Sequence, residues 1–341
     1  MAEFVTTEEV YSGTRAGEGP DPTLLAMKNS IDNFQFPSLD HFENQICTDY
    51  FDHLSADEVA ALKRDCKKRF VDSAYEGDLL GEMRHGLGKM TYENGRSYFG
   101  EWKHDIREGR GIEHYSNGNT YLGYFSEGKA HGFGLYKWAN GESYEGEWQQ
   151  GSKEGRGVWK GTAGDSYIGY WRNSTANGWG RHIWANGDSY EGQWVDCVKH
   201  GVGIEKYAST GDEYRGEFRD GKPNGYGHYY YENGDVYKGY FLMGMKHGRG
   251  RLRHSNNHFY IGEFYRDKKH GRGCFTWPSG NQYKGQFAED KRHGKGVMTW
   301  VDGTRYKGEW VNGCQQGFGE LTFADGRDAK IGIFENNAFK G

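Results

Sequence analysis

The chain has 341 residues, 55 glycines and 55 aromatic residues, but only 35% hydrophobic residues and a net charge of −5. That balance excludes a large aliphatic core and favours short strands joined by glycine turns. No run approaches the roughly 18 apolar residues of a membrane-spanning helix, and the overall acidity disfavours nucleic acid as a partner. Cys47, Cys66, Cys197, Cys274 and Cys314 are scattered without a C-x-x-C pair and read as free thiols in a reducing compartment. The opening "MAEFVTTEEV" lacks the basic and apolar regions of a secretory signal, so a cytoplasmic location is expected, neither secreted nor transmembrane.

In chain order, residues 1–22 read as disordered or extended, and residues 23–74 as an N-terminal docking or capping segment. Within it, "LSADEVAALKRDCKKRF" carries a capping box, Ser55 with Glu58, ahead of an apolar stripe of Val59, Leu62, Cys66 and Phe70. This predicts a helix over about 55–71. Such a helix would cover the open edge of the first hairpin or dock a partner.

From Tyr75 to the C-terminus one pattern governs the chain. Tyrosines recur every 23 residues, with one step of 24, from Tyr75, Tyr98 and Tyr121 through Tyr306. Glycine follows each tyrosine at offset 2, and an aromatic at offset 4 in every unit but the first, which has Leu79. Glycines also stand at offsets 11 and 13 in all eleven units, as in Gly132 and Gly134. A partial twelfth unit starts at Lys330. Within a unit the period is two, so Tyr144, Gly146 and Trp148 share one face of a strand. Asn94-Gly95, Asn140-Gly141, Asp302-Gly303 and their equivalents mark hairpin turns, with Asn257 in the glycine place of one unit. The fold class expected is all-β: an elongated, single-layer antiparallel ribbon of about eleven stacked hairpins over 75–341. The strand glycines leave room for the large rings. At about 4.8 Å per strand the array would span roughly 100 Å.

Y-x-G-x-W/F, then H-G-x-G and an Asn-Gly turn on a 23-residue period, as in "YEGEWQQGSKEGRGVW" and "YKGQFAEDKRHGKGVMTW", resembles the MORN repeat. The resemblance covers 75–341. Arrays of this family occur in radial spoke heads and other axonemal proteins, in cytoskeletal scaffolds, in junctional membrane proteins and beside lipid-kinase or methyltransferase domains. Without such a domain beside it, the array implies by resemblance a structural scaffold in a cilium, flagellum or related cytoskeleton. Some relatives dimerise through their repeats, which implies a homodimer as one mode of assembly.

The residues offer little chemistry. His85, His131, His200, His247, His270 and His293 occupy offset 10, where other units carry Glu108, Glu154, Asn177, Asn224 or Gln316. A metal ligand would not be exchanged for glutamine, so the position calls for a hydrogen-bonding side chain beside a turn. The His-Gly-x-Gly lacks the lysine and helix of a phosphate loop. No enzyme, metal or cofactor is expected.

Two features carry binding. Tyr124, Phe133, Tyr170, Trp179, Tyr226, Tyr230 and Tyr240 fall at offsets 1, 3, 12, 14 or 16, on the face opposite the tyrosine column, and are the candidate protein interface. Residues 1–74 hold 14 acidic against 7 basic residues, whereas 246–296 holds 12 basic against 4 acidic. Arg249, Arg251, Arg253, Lys268, Lys269, Lys291 and Arg292 are the candidate contacts to an anionic partner, either a phospholipid surface or an acidic protein tail. The leading expectation is a non-catalytic scaffold contacting axonemal or cytoskeletal proteins, and the alternative is a tether to anionic phospholipid through 246–296.

Overall fold

The computed structural model describes residues 54–341; the segment expected at 1–22, and the part of 23–74 that precedes residue 54, lie outside it. The described residues form one short helix and twenty-five strands of open antiparallel sheet; within each compact unit, strands adjacent in the chain pair with each other. The chain divides into two compact units, which meet in sequence between Val198 and Lys199.

The first unit opens with helix α1 (Ala56–Ala61) and strands β1 (Lys63–Arg69), β2 (Ser73–Leu80) and β3 (Met83–Tyr92). The capping box forms as read: Glu58 N donates to Ser55 Oγ at 3.2 Å, and Ser55 N to Glu58 Oε2 at 2.8 Å. The helix does not reach residue 71. It stops at Ala61, and Lys63–Arg69 instead pairs antiparallel with β2, Cys66 opposite Gly77 and Arg69 opposite Ala74. The edge of β2 would otherwise present unpaired N–H and C=O groups, and satisfying them outweighs a weak helical preference. Lys63–Arg69 therefore covers the edge of the first hairpin by strand pairing.

The hairpins that follow are alike. A seven-residue strand such as Ser143–Gln149 joins a nine-residue strand, Ser152–Lys160, through the two-residue turn Gln150-Gly151. Both turn residues have positive φ (+50° and +86°), which matches the twist of paired strands. Six of these turns have no glycine, among them His104-Asp105 and Glu289-Asp290. Each is held by the turn region before it: Asp105 N donates to Arg84 O, and Arg84 N to Asp105 Oδ1, both at 2.9 Å. The Asn-Gly sites close the other end, with Gly95 N donating to Tyr92 O at 3.0 Å and Gly95 at φ +84°. Asn257 takes the same conformation at φ +65°.

The core of each unit is the ring face. Tyr144 is fully buried and its hydroxyl donates to Glu147 O at 3.0 Å, which lays the ring across the paired Gly146 and Gly157. A Cβ on Gly146 would stand 2.6 Å from that hydroxyl. Trp148 and Trp171 meet the Tyr144 ring edge-on at 5.1 and 5.2 Å, and the motif recurs along each unit. The glycine at offset 11 serves a different purpose: Gly155 sits at φ +59° in a bulge where the register slips between Gly146 and Trp148.

The second unit, from Lys199, continues the pattern through Glu213–Arg219, Lys222–Tyr230, Val236–Leu242, Met245–Arg253 and Phe259–Tyr265. It ends with the partial repeat, Lys330–Glu335 paired to the two-residue Ala338–Phe339, where buried Phe334 meets Tyr306 at 4.9 Å.

A basic and aromatic docking face

Strand alternation gives every hairpin a ring face and an outer face. The outer face carries offsets 1, 3, 12, 14 and 16, and the bulge brings offset 3 of one strand beside offset 12 of the next. In the first unit this juxtaposition is self-satisfying. Arg110 Nε pairs with Glu101 Oε1, and Arg156 Nε with Glu147 Oε1, each at 3.0 Å. Ile112 is buried among Leu87, Phe99 and Leu122.

In the second unit the outer face gathers unlike partners. Tyr226 and Tyr240 pair across strands with rings 5.6 Å apart, and both are exposed, at 46% and 53%. Beside them Lys238, Arg249, Arg251, Ile261, Glu263 and Arg272 complete an open depression of about 660 Å³. Register builds it: Lys238 lies opposite Arg251, Arg251 opposite Ile261, and Arg249 opposite Glu263. Next to it, His228 stands between Tyr226 and Tyr230 at 5.6 and 6.3 Å. Burial, together with the charges of Lys238 and Arg215, holds its pKa down to about 4, so the imidazole stays neutral near pH 7. The guanidinium of Arg215 sits 5.2 Å from the Tyr230 ring.

The expected interface residues are thus divided. Tyr226, Tyr230 and Tyr240 come together. Tyr124 is exposed, while Phe133 and Tyr170 are half-buried in the first unit. Trp179 is a correction: with 1% of its surface accessible it belongs to the packed interior and presents no anchor.

The basic set divides further. Arg249, Arg251 and Arg253 are exposed on the outer face of one strand, as alternation requires. Lys269 and Arg292 are corrections, because they lie on the ring face. Lys269 Nζ is 5.4 Å from the Phe275 ring and 3.5 Å from Asp290, and Arg292 is 4.3 Å from the Trp310 ring and donates to Gly313 O at 2.6 Å. The register slip beside each bulge turns offset 9 toward the rings, where a long apolar stem packs well. Lys268 pairs with Glu289, and exposed Lys291 lies at the start of its strand. The seven cations therefore do not form one patch. Lys238, Ile261 and Arg272 were missed by sequence reading. Their signal was the alternation itself, legible only once the bulge fixes which residues face each other.

Offset 10 behaves as its exchange pattern implies. Glu108 Oε2 accepts from Glu127 N at 3.0 Å, Glu154 Oε2 from Asn173 N at 2.9 Å, and Gln316 Oε1 from Asn336 N at 3.2 Å. His85 Nδ1 does the same for His104 N at 3.3 Å. Each satisfies the first N–H of a neighbouring two-residue turn. Among the described residues no group of three or more His, Cys, Asp or Glu is placed to hold a metal ion, and Cys66, Cys197, Cys274 and Cys314 are free thiols.

Comparison with protein-family models matches the MORN repeat eleven times, at 75–95, 98–120, 121–143, 144–166, 167–189, 190–211, 214–236, 237–259, 260–282, 283–305 and 306–326. The chain belongs to the MORN-repeat family. Its hairpins are MORN repeats, each a ring-and-glycine module closed by the two turns described above. No curated protein matches the chain. Among solved structures, the wild-type TCP10 domain of Danio rerio CPAP is similar over 58% of this chain and 94% of that one, at 12% identity and a TM-score of 0.34. The SAS-4 (dCPAP) TCP domain of Drosophila melanogaster, solved with a proline-rich motif of Ana2, is similar over 53% and 85%, at 14% identity and a TM-score of 0.24. Likeness at this level carries no inference about this MORN array. Among the described residues no helix is long and apolar enough to cross a membrane.

Proposed function

We propose that this MORN array is a non-catalytic scaffold that docks a protein partner on the outer face of residues 199–341. The assembly it serves is a ciliary axoneme, at a radial spoke or associated complex, or a related cytoskeletal structure. The observation that carries the docking reading is the depression in which Tyr226 and Tyr240 meet Lys238, Arg249, Arg251 and Arg272. Exposed tyrosines beside arginines are the side chains that anchor protein interfaces, and here they stand on a rigid sheet rather than on loops. The axonemal setting is supported by resemblance: arrays of this family occur in radial spoke heads, other axonemal proteins and cytoskeletal scaffolds. A tagged copy, followed through extraction of cells, tests the reading. Retention after mild detergent and release only by high salt is expected, since salt screens an exposed charged interface. Complete release by detergent alone would contradict it.

One observation favours a second reading. Arg249, Arg251 and Arg253 project together from one strand, as contacts to anionic phospholipid would. Lys269 and Arg292, turned to the rings, weaken it. Flotation with phosphatidylserine vesicles, lost on reversing the three arginines, would establish this reading; flotation that ignores the reversal would remove it.

A further inference from the structure

Resting on that docking reading, we infer that the outer face of residues 199–341 takes an extended acidic segment whose carboxylates recur at every third residue. Arg249, Arg272 and Lys295 hold the same repeat position, twelve residues after Tyr237, Tyr260 and Tyr283. All three are exposed. Arg249 lies opposite Glu263, Arg272 opposite Gln286, and Lys295 opposite Glu309, so the three cations form one row running across the strands. Neighbours in the row are separated by two strand spacings, about 10 Å. A polyproline II chain rises about 3.1 Å per residue with three residues per turn, so every third side chain returns to the same face after about 9.3 Å. Peptide and row stay in step over three contacts. An α-helix, at about 1.5 Å per residue, would need its acids six or seven residues apart.

The cations are available because the acid that satisfies this position in the first unit has been replaced. Arg110 has Glu101 and Arg156 has Glu147, each at 3.0 Å. In the second unit Tyr240 stands at the equivalent place for Arg249, and Gln286 for Lys295. The Gln286 side chain is engaged elsewhere, accepting from Lys295 N at 2.8 Å. Glu263 retains the acid for Arg272, but its carboxyl carbon turns to Gly271, 2.9 Å from where a Cβ would stand. Among the described residues, none of the three cations has a carboxylate within the 4.0 Å of an ion pair. Complementary charge must come from the partner, and Tyr226 and Tyr240 at the head of the row offer rings for an apolar residue beside the acids.

Fluorescence anisotropy with the full chain tests this. The probes are a labelled peptide of Glu-Pro-Ala triplets, a peptide of equal composition with its glutamates grouped, a helical peptide with glutamate at every seventh residue, and phosphatidylserine vesicles. The triplet peptide should bind tightest. Arg249→Gln, Arg272→Gln and Lys295→Gln should each weaken it by about two- to fivefold, the range of exposed charge pairs. The double variant Tyr240→Glu/Gln286→Glu leaves every cation in place, supplies two of them with an acid in cis, and is read against Tyr240→Gln, which removes the same ring without adding an acid. Relative to Tyr240→Gln, the double variant should weaken the triplet peptide about as much as losing two cations, with an unchanged circular dichroism spectrum. Equal affinity for triplet and grouped peptides, preference for the helical peptide, or an unaffected double variant would overturn the inference. Binding to vesicles but to no peptide would overturn it in favour of lipid. If no peptide binds while the protein still resists detergent in cells, this inference falls and the docking reading stands.

Discussion

The two units share a strand pattern and a ring face, and differ in how they treat the outer face. Up to Val198 two of the outer cations have an acid beside them, Arg110 with Glu101 and Arg156 with Glu147, and Ile112 packs among Leu87, Phe99 and Leu122. On the ring side of the same unit the buried carboxylate of Glu113 holds both Arg96 and Arg107. From Lys199 on, Tyr240 and Gln286 replace the matching acids of Arg249 and Lys295, the Glu263 carboxyl turns to Gly271, and cations stand exposed beside aromatic rings. The ring-and-glycine core is thus sufficient to build a repeat. The outer face is then left to vary, toward internal ion pairs in one unit and, on the docking proposal, toward a partner in the other.

The internal pairing of the first unit depends most heavily on Glu113. Replacing it with alanine strands two arginines against a buried site and should cost about 3 kcal/mol or more, seen as a fall in the urea midpoint. A loss below about 1 kcal/mol would show that the first unit does not rely on internal pairing. The ring face, common to both units, should respond equally in each. Gly146→Ala and Gly239→Ala place a Cβ 2.6 and 2.5 Å from the hydroxyls of Tyr144 and Tyr237, and each should cost about 1–3 kcal/mol by differential scanning calorimetry. Unequal losses would mean the cores are not equivalent.

A smaller effect concerns pH. His228 has a folded pKa of about 4 against an ordinary value of 6.5, because burial and the Lys238 and Arg215 charges oppose protonation. Between those values the folded state binds fewer protons than the unfolded one. The contribution is therefore fully present above 6.5, declines as pH falls toward 4, and levels off below. The urea midpoint of the protein should fall from pH 7 to pH 4.5, and His228→Gln should remove part of that slope; an identical slope in the variant would refute the assignment. The smallest effect belongs to Arg251→Gln, which should change stability by less than about 0.5 kcal/mol, because an exposed charge aimed at a partner contributes little to its own fold.

Much of the fold was legible because its rules are local. Tyr144, Gly146 and Trp148 alternate at period two, and Asn140-Gly141 announces a turn. The tight turns were less legible, since His104-Asp105 and Glu289-Asp290 adopt positive φ without glycine. What stabilises them is a hydrogen bond to the start of a strand 21 or 22 residues earlier, as Asp105 N makes to Arg84 O, and that partner is invisible to local pattern. The helix beyond Ala61 failed for a related reason, because the edge it would leave unpaired lies outside its own sequence. At the site, Tyr226, Tyr240, Arg249 and Arg251 were found by alternation. Lys269, Arg292 and Trp179 were misplaced: the bulge turns offset 9 toward the rings, and burial of a ring depends on neighbours the period does not name.

On the docking proposal, the outer face after Lys199 takes the partner and the face before it does not. This is tested most directly by stepwise salt extraction of detergent-washed cells expressing two charge-reversed forms. One carries Arg249→Glu, Arg272→Glu and Lys295→Glu; the other carries Arg181→Glu, an exposed cation of the first unit. The triple form should be released at clearly lower salt than the unaltered protein, and the Arg181 form with the unaltered protein. Release of all three at the same salt would contradict it.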